Sequence, residues 1–336
     1  MRKIADLAAI LAHHRVKLET VLILCDENTA EIAGNAVISA LREAEAVTCR
    51  YFVVNSDDRN VRDVMQAIRK QRPGLVIGVG GGKVLDVAKL AAARTATMFI
   101  SIPTTLSNDG IASPVAVIKD RQNIPVSHIT LPPFGVIIDI DIVKRAPRRH
   151  LIAGVGDLIS NLSAVFDARL AHEKQGEKIS THALELAGSG GKHLLDLPES
   201  AVEDPAFLRE LAHGLIRSGF AMCLCGTSRP ASGSEHKISH SIDHLFPSSN
   251  GLHGEQAGIA TLFTMALQHN ERLESVRAFY EKIGFPGKLD YLNLSRADFV
   301  RAVLNATRIR PDRFTVLEHK RPARREIEAI IAELSL

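Results

Sequence analysis

The sequence has little net charge, few cysteines and no long apolar run. Each of these features argues against one class of protein. Its 41 Lys and Arg residues nearly balance 38 Asp and Glu residues, which leaves a formal charge of +3 on 336 residues. So small an excess argues against a nucleic-acid partner and favours small-molecule chemistry. No stretch approaches the roughly 20 consecutive apolar residues of a membrane span, and residues 1–14 lack a signal peptide's unbroken apolar segment and cleavage site. We therefore expect a cytoplasmic protein without a membrane span.

The four cysteines are Cys25, Cys49, Cys223 and Cys225. Their spacing does not form the paired pattern of a metal ribbon, and disulfides are disfavoured in a reducing compartment. We expect Cys223 and Cys225 to be buried helix residues, and a redox role for them is the alternative.

The chain length suggests roughly two domains, and the first 150 residues alternate apolar runs with helical patterns. The apolar runs cover 21–25, 49–54, 75–79 and 98–102, and helices are expected near 29–44, 60–71 and 83–94. This alternation predicts parallel strands that are buried on both faces and joined by helices, which is a Rossmann-like α/β nucleotide-binding domain. Ligands bind such sheets at the carboxyl ends of the strands.

From about residue 150 the pattern changes to long helices with few strand candidates. The expected helices are 157–172, 176–197, 205–226, 230–246, 254–271 and 272–284. Pro147, a basic cluster and Gly154 interrupt the periodicity between the two patterns. We therefore predict an α/β domain at 1–148 and an all-α, metal- and substrate-binding domain at 149–336.

Three glycines, Gly80, Gly81 and Gly82, stand between a buried strand and a helix in LVIGVGGGKVLDVAK. They let the backbone approach a ligand and turn a helix N-terminus toward an anion, which predicts a pyrophosphate site. The run is not the G-x-G-x-x-G fingerprint, and tight packing is the alternative.

Asp86 in the first turns of that helix either complements the helix dipole or anchors the turn. Asp26, after the first strand, either accepts from a ribose hydroxyl or caps the next helix.

The segment SIPTTLSNDGIASP follows the next strand and is dense in hydroxyl groups, with Asn108 and Asp109 near its centre. Polar side chains at this edge of an open sheet face the ligand crevice. We therefore expect the segment to face a ligand rather than only solvent.

A metal site is indicated by one carboxylate and several imidazoles. Asp157 lies at an expected Gly-flanked helix start, His236 and His240 share a helix face at i, i+4 spacing, and His253 lies in a glycine-bounded loop. One carboxylate and two imidazoles suit a divalent ion such as zinc, with an open fourth position. A single histidine is more often a surface or core residue, so the prediction depends on the combination. A closed structural site completed by His240 or Glu235 is the alternative, although no cysteine is near.

Taken together, these motifs resemble the iron-containing alcohol dehydrogenase/dehydroquinate synthase superfamily. The resemblance runs through GGGKVLDVAK, PTTLSNDGIASP, GVGDLISNL, RPASGSEHKISHSID and HGEQ, in that order, between residues 78 and 256. It implies an NAD(P)-binding N-terminal domain and a helical C-terminal domain with the active site between them. Within the superfamily it implies an NAD(P)-dependent dehydrogenase that interconverts dihydroxyacetone phosphate and sn-glycerol 1-phosphate. A glycerol or polyol dehydrogenase, a sugar-phosphate cyclase and a non-catalytic binding protein are the alternatives.

The resemblance also implies roles for individual residues. The implied cofactor contacts are Gly80, Gly81, Gly82 and Lys83 at the pyrophosphate and Thr104, Thr105, Ser107 and Ser113 around the rest of the nucleotide, with Asp26 and Asp86 as the further candidates given above. The implied metal ligands are Asp157, His236 and His253. Asp109 and His240 are the catalytic candidates, with Asp109, Asp157 and His240 facing the substrate and His240 able to relay a proton.

One position departs from the pattern of the iron enzymes. These carry another histidine ligand four residues after the metal-binding aspartate, where this chain has Asn161. Three remaining protein ligands fit catalytic zinc better than iron. The segment SNDGIASPVAVI also lacks the lysines that follow this motif in dehydroquinate synthases.

The expected substrate is a phosphorylated triose or polyol, polarised at its carbonyl by the metal. Arg229, Lys237 and helix N-termini are candidate phosphate donors, and a solvated role for both side chains is the alternative. The choice between NAD and NADP stays open, and a homo-oligomer is expected because relatives commonly self-associate.

Overall fold

The structure is a computed structural model that describes residues 3–122, 124–197, 201–249 and 251–336. The chain divides into two compact units. The first comprises Met1–Leu106 and Gly110–Pro147, and the second comprises Ser107–Asp109 and Arg148–Leu336.

The first unit contains the strands. They are β1 Thr20–Cys25, β2 Val47–Phe52, β3 Leu75–Gly80, β4 Met98–Pro103, β5 Val115–Lys119, β6 Pro125–Ile129 and β7 Gly135–Val136. Its helices are α1 Leu7–His13, α2 Glu27–Thr29, α3 Asn35–Glu43, α4 Asp58–Gln71, α5 Gly82–Arg94 and α6 Ile140–Val143, with a π turn at Ala30–Gly34 and 3₁₀ turns at Ile4–Asp6 and Asp109–Ile111, the last beginning at the second unit's Asp109.

Five strands form a parallel sheet in the order β2-β1-β3-β4-β7. All six residues of β3 are buried, and because side chains alternate between faces, both faces of this strand are covered. The sheet grows from β1 to β2 on one side and then to β3 and β4 on the other. Its direction therefore reverses between β1 and β3, and this switch point is where open α/β sheets bind ligands.

A two-stranded antiparallel hairpin, β5–β6, lies outside this sheet. This hairpin was not expected from the sequence pattern. Only β5 shows alternating burial over its five residues, which is too short to stand out beside the hydroxyl-rich segment before it.

The second unit consists of helices in the residues that the structure describes. They are α7 Arg148–Gln175, α8 Thr181–Leu195, α9 Pro205–Cys225, α10 Ser234–Leu245, α11 His253–Gln268, α12 Leu273–Ile283, α13 Arg296–Ala306, α14 Val316–Lys320 and α15 Arg324–Glu333, with 3₁₀ turns at Arg229–Ala231 and Leu289–Leu292. A sheet domain and a helical domain were both expected from the sequence, and this architecture is confirmed.

Helix α7 is the core of the second unit and packs against α8, α9, α10 and α11. By length and composition it could cross a membrane, but 94% of its apolar window is buried inside the protein. It is therefore the central helix of a folded domain, where an all-round apolar surface is expected.

Helices α7 and α11 meet backbone to backbone through glycines. A Cβ atom added to Gly254 would lie 1.9 Å from the Ala153 carbonyl oxygen, and one added to Gly156 would lie 2.1 Å from the Gly254 carbonyl oxygen. No side chain fits in this contact. Asp157 follows one of these glycines and His253 precedes another, so the close crossing places both residues at the same point.

The glycines before Asp157 do not mark a helix start, and that expectation was wrong. Asp157 lies well inside the 28-residue α7, because Gly156 serves helix packing rather than helix termination. His253 is the first residue of α11 rather than a loop residue. Cys223 and Cys225 lie on α9 as expected, but both are partly exposed, so their predicted burial was also wrong.

Candidate active site

Three side chains of the second unit converge as a candidate metal site. Asp157 comes from α7, His236 from α10 and His253 from the start of α11, and one ligand atom of each lies within 4.8 Å of the others. Asp157 Oδ1 is 3.6 Å from His236 Nε2 and 3.7 Å from His253 Nε2. Asp157 and His236 are buried, and His253 is partly exposed.

The spacing of these atoms fits a small divalent ion. A tetrahedral ion with bonds of about 2.0–2.1 Å holds its ligand atoms roughly 3.3 Å apart. The two nitrogen–oxygen distances exceed this by only a few tenths of an ångström. Two imidazoles and one carboxylate could therefore supply three ligands to such an ion, and a tetrahedral ion takes four.

Each ligand is oriented by a second contact. His236 Nδ1 is 2.9 Å from Glu235 Oε1, and because a carboxylate accepts, Nδ1 is the donor of this bond and Nε2 is the ring nitrogen that faces Asp157. His253 Nδ1 is 3.4 Å from the Ser239 hydroxyl. Asp157 Oδ2 accepts from the backbone N–H of Asp109 at 2.8 Å, which leaves Oδ1 toward the histidines.

The electrostatics of the site favour a cation. Burial alone would lower the pKa of His236, but hydrogen bonds and charge interactions with Asp157 and Glu235 outweigh it and raise the pKa to about 9. Burial would likewise raise the pKa of Asp157, yet His236, His253 and the Asp109 N–H hold it below its usual value. The carboxylates that hold a proton on His236 would equally stabilise a divalent ion, which displaces that proton when it binds the ring nitrogen.

His240 lies beside this site but outside its three ligands. Its ring centroid is 6.4 Å from that of His236 and 5.9 Å from that of His253. Burial and the nearby His253, Arg310 and His236 lower the pKa of His240 well below 6.5. The ring is therefore neutral at pH 7 and carries one donor and one acceptor.

Asp109 is held by a chain of hydrogen bonds. The chain includes Asn161, the residue that replaces the further histidine of the iron enzymes. The Ser218 hydroxyl donates to Asp109 Oδ2 at 2.7 Å, and Asn161 Nδ2 donates to Ser218 Oγ at 3.0 Å and to the Ala187 carbonyl at 3.3 Å. Asn161 thus positions Asp109 through Ser218. The sequence offered no signal for Ser218, which is 109 residues from Asp109.

In the first unit, Asp26 and Lys83 meet at the switch point of the sheet. Lys83 Nζ lies 2.9 Å from Asp26 Oδ2, and Asp26 also caps the next helix by accepting from the Thr29 N–H. Burial acts to raise the pKa of Asp26, but the bonds from Lys83 and Thr29 outweigh it and lower the pKa. The capping alternative for Asp26 is therefore observed.

The glycine run lies between β3 and α5 as expected. Gly80 ends β3, Gly81 is the residue before α5, and Gly82 begins it. A Cβ atom on Gly80 would lie 2.9 Å from Val84 Cβ, so this glycine is required for close strand–helix packing. At Gly81 the nearest atom would be 3.5 Å away, at Thr105, and packing alone does not require a glycine there.

Asp86 anchors a neighbouring strand. Its Oδ2 accepts from the Val117 N–H at 3.2 Å, and its Oδ1 is 3.6 Å from Lys89 Nζ. Lys89 in turn donates to the carbonyls of Gly110 and Val115. Asp86 is therefore a polar anchor, but its contacts hold β5 and Lys89 rather than the glycine turn that was expected.

The remaining expected cofactor residues follow β4. Thr104, Thr105 and Ser113 are buried, and Ser107 belongs to the second unit. Ser113 Oγ donates to the Val115 carbonyl at 3.4 Å. Thr105 Oγ1 is buried without a hydrogen-bond partner in the described part of the chain, and such a group is usually satisfied by a ligand or water.

The chain is similar in sequence to one family model and to proteins of known name. A family model described as iron-containing alcohol dehydrogenase matches residues 2–147. A protein of Thermococcus sibiricus named glycerol-1-phosphate dehydrogenase [NAD(P)+] is 40% identical over 307 residues, which cover 90% of this chain and 86% of the relative. A protein of the same name from Thermofilum pendens is 37% identical over 298 residues, covering 88% and 85%.

Solved structures show the same fold. Glycerol dehydrogenase from Schizosaccharomyces pombe superposes with a TM-score of 0.80 at 23% identity, covering 99% of this chain and 87% of that one. An iron-containing alcohol dehydrogenase from Thermococcus thioreducens gives a TM-score of 0.76 at 16% identity, covering 99% and 96%. These structures bear on the fold, and the family resemblance inferred from the motifs is confirmed by the relatives of 37–40% identity.

Proposed function

Because the chain belongs to the family of glycerol-1-phosphate dehydrogenases [NAD(P)+], we propose that it is an NAD(P)-dependent oxidoreductase that interconverts dihydroxyacetone phosphate and sn-glycerol 1-phosphate. The observation that carries the proposal is the convergence of Asp157, His236 and His253. These are the residue types, in the number and spacing, that a catalytic divalent ion requires.

We propose zinc as the resident ion. Two imidazole nitrogens and one carboxylate oxygen are typical zinc ligands and leave a position for substrate. Such an ion supplies a Lewis acid that polarises the bond between C2 of the substrate and its oxygen. Asn161 stands where the iron enzymes carry a further histidine ligand, and a site left with three protein ligands favours zinc over iron.

The protein's own groups orient the substrate and move a proton. The carboxylate of Asp109, fixed by Ser218, is proposed to accept from a substrate hydroxyl. His240 has a neutral ring with one donor and one acceptor, which suits it to pass a proton between the substrate oxygen and solvent. Glu235 keeps the proton of His236 on Nδ1, so that ring stays a ligand rather than becoming an acid.

The first unit is proposed to bind NAD or NADP, whose nicotinamide exchanges the hydride. The N-terminus of α5 with Gly81 and Gly82 would receive the pyrophosphate, since helix N-termini attract anions. Lys83 lies at the same edge and adds a positive charge. The unpartnered hydroxyl of Thr105 supports a ligand here. Gly80, Thr104, Ser107 and Ser113 complete the proposed contacts, while Asp86 would shape the site by holding β5.

The test is a steady-state comparison of two ketones with both cofactors after defined zinc loading. Purified protein is mixed with NADH or NADPH and with dihydroxyacetone phosphate or dihydroxyacetone, and cofactor oxidation is followed by absorbance. We expect kcat/KM to be higher for the phosphorylated ketone. Preference for free dihydroxyacetone would instead indicate a glycerol or polyol dehydrogenase, and product formation without net cofactor oxidation would indicate a cyclase.

The protein is further proposed to act in the cytoplasm as a homo-oligomer. Its four cysteines are all free thiols, which is the usual state in a reducing compartment. Apolar side chains that a second copy could cover are exposed on the first unit, namely Ile129, Leu131 and Phe134. Light scattering after size-exclusion chromatography would give the mass, and a monomer would contradict the oligomer.

A further inference from the structure

Two arginines in the loop after α13 carry a positive charge close to the candidate metal site. Arg310 Nη1 donates to the hydroxyls of Ser228 and Ser232, at 3.3 Å and 3.4 Å. Arg313 donates to the Ser232 carbonyl at 2.5 Å and to the Thr227 hydroxyl at 3.4 Å. Within the part of the chain that the structure describes, the hydrogen bonds of Arg313 thus go to neutral groups.

A third arginine, Arg229, belongs to the same cluster. Arg229 is only 2% exposed, and its Nη2 donates to Glu177 and to the Phe314 carbonyl. Its Nε and Nη1 are buried without a hydrogen-bond partner among the described residues. Burial and the charges of Arg310 and Arg229 outweigh the carboxylates of Glu177 and Asp312 and lower the pKa of Arg313 to about 10.

The arginine cluster belongs to the same unit as the candidate metal site and lies close to it. Arg313 donates to the carbonyl of Ser232, just before α10, and its own carbonyl accepts from Lys237 on α10, so the arginines lie against the start of the helix that carries His236 and His240.

Three guanidinium groups against the two carboxylates of Glu177 and Asp312 leave an excess of positive charge in a partly buried place, which an anion would balance. Guanidinium groups bind phosphate oxygens in a bidentate fashion, and hydroxyl groups can donate to the remaining oxygens. Lys237 is a weaker candidate because its ammonium group is 2.7 Å from Glu318 Oε1 and bonded to the Arg313 carbonyl.

We propose that Arg310 and Arg313, backed by Arg229 and flanked by the hydroxyls of Thr227, Ser228 and Ser232, form a phosphate-binding subsite for the substrate. The identity of the ligand, a phosphate monoester of a short ketone or polyol, rests on the proposed function. In dihydroxyacetone phosphate, one methylene and one ester oxygen join the phosphorus to the reacting carbon. A phosphate at the arginines would therefore hold that carbon three bonds from the phosphorus, beside the start of the helix that carries His236 and His240.

The test measures substrate discrimination and phosphate binding separately. The variants are Arg310→Gln and Arg313→Gln, with Arg313→Lys to retain the charge and Arg308→Gln, an exposed residue of the same loop, as the matched control. For each zinc-loaded protein, the ratio of kcat/KM for dihydroxyacetone phosphate to that for dihydroxyacetone is determined. The affinity for inorganic phosphate is measured by calorimetric titration, which needs no turnover.

We expect both Gln variants to lower the kcat/KM ratio and the phosphate affinity by about 10- to 100-fold, the usual effect of losing a hydrogen bond to a charged group. Arg313→Lys should lose less, and Arg308→Gln should match the wild type. Unchanged phosphate affinity, or equal losses for both ketones, would overturn the subsite. If the wild type binds phosphate through these arginines but does not reduce dihydroxyacetone phosphate, the proposed function fails and the subsite stands.

Discussion

Asp167 is a fully buried carboxylate on α7 that accepts hydrogen bonds from the ends of three other helices. It accepts from the backbone N–H groups of Ser234 and Val316, at the start of α10 and α14, and from Gln268 on α11. Burial and the nearby charge of Glu235 nevertheless raise its pKa to about 6. The ionised form is therefore less favoured in the folded protein than in the unfolded chain.

This shift predicts a pH dependence of stability. Between its ordinary pKa of 3.8 and about 6, the folded protein holds a proton on Asp167 that the unfolded chain has lost. Stability from this group is therefore present below pH 4 and declines as the pH rises to 6. We expect the unfolding free energy of the wild type, relative to Asp167→Asn, to fall by about 1–3 kcal/mol between pH 4 and 7.

Urea denaturation of both metal-free proteins at several pH values would measure the difference. The absolute cost of Asp167→Asn is not the readout, because an amide cannot accept all the bonds that the carboxylate accepts. A difference that stays constant between pH 4 and 7 would contradict the prediction.

Single residues of the metal site could be predicted because their side-chain chemistry is selective. Few side chains bind a divalent ion, so Asp157, His236 and His253 stood out from the sequence as a set. Glu235 was considered only as a further ligand, although a carboxylate adjacent to a ligand histidine in sequence can also bind its second nitrogen. Ser218 and Arg313 could not be found, since serines and arginines are common and their place depends on tertiary packing.

At the scale of helices, the contact between α7 and α11 explains why glycines precede the metal ligands. We expect Gly254→Ala to lower the unfolding free energy by roughly 3 kcal/mol, because the new methyl group meets a backbone carbonyl that cannot rotate away. The displaced helices should also lower zinc affinity. Thermal unfolding and a competition titration with a chromophoric chelator would measure the two effects.

The matched control is Gly188→Ala on α8, where the nearest atom to a new Cβ is 3.8 Å away. This variant should unfold within about 1 kcal/mol of the wild type, since alanine favours a helix over glycine. Equal effects of the two substitutions would mean that the backbone contact is not what requires Gly254.

The same contact shows where element prediction from sequence failed. Glycine weakens a helix in isolation, so Gly154 and Gly156 favoured a helix start at Asp157. In the protein, the burial of α7 outweighs that local preference. Strands β1, β3 and β4 were predicted correctly because short continuous apolar runs between helical patterns are typical of parallel strands buried on both faces.

At the scale of the whole molecule, the two candidate ligands should stabilise different parts of the chain. We expect chelation of zinc to increase hydrogen exchange in peptides from α7, α10 and α11 and to leave β1 and β3 unchanged. NADH should protect peptides from 75–94 instead. At 100 times its dissociation constant, a ligand adds about 2.7 kcal/mol to the state that binds it.

Exchange measured by mass spectrometry, with His253→Ala as a control that should no longer respond to zinc, would check these expectations. Equal zinc protection of strand and helix peptides would contradict the assignment of the metal to the helical unit. The sequence predicted a sheet unit followed by a helical one because their hydrophobic periods differ. It could not indicate that Ser107–Asp109 belong to the second unit, which only the contacts of the folded chain show.

That three-residue segment makes the helical unit discontinuous in the gene. A fragment that encodes only 148–336 would lack Asp109, whose N–H group holds Asp157 Oδ2 and whose carboxylate holds Ser218. The helical unit therefore cannot be transferred as one uninterrupted stretch of coding sequence. A chimera with a different nucleotide-binding unit would need residues 107–109 inserted into the corresponding loop of that unit. The reason is that these three residues of the second unit are encoded within the sequence of the first.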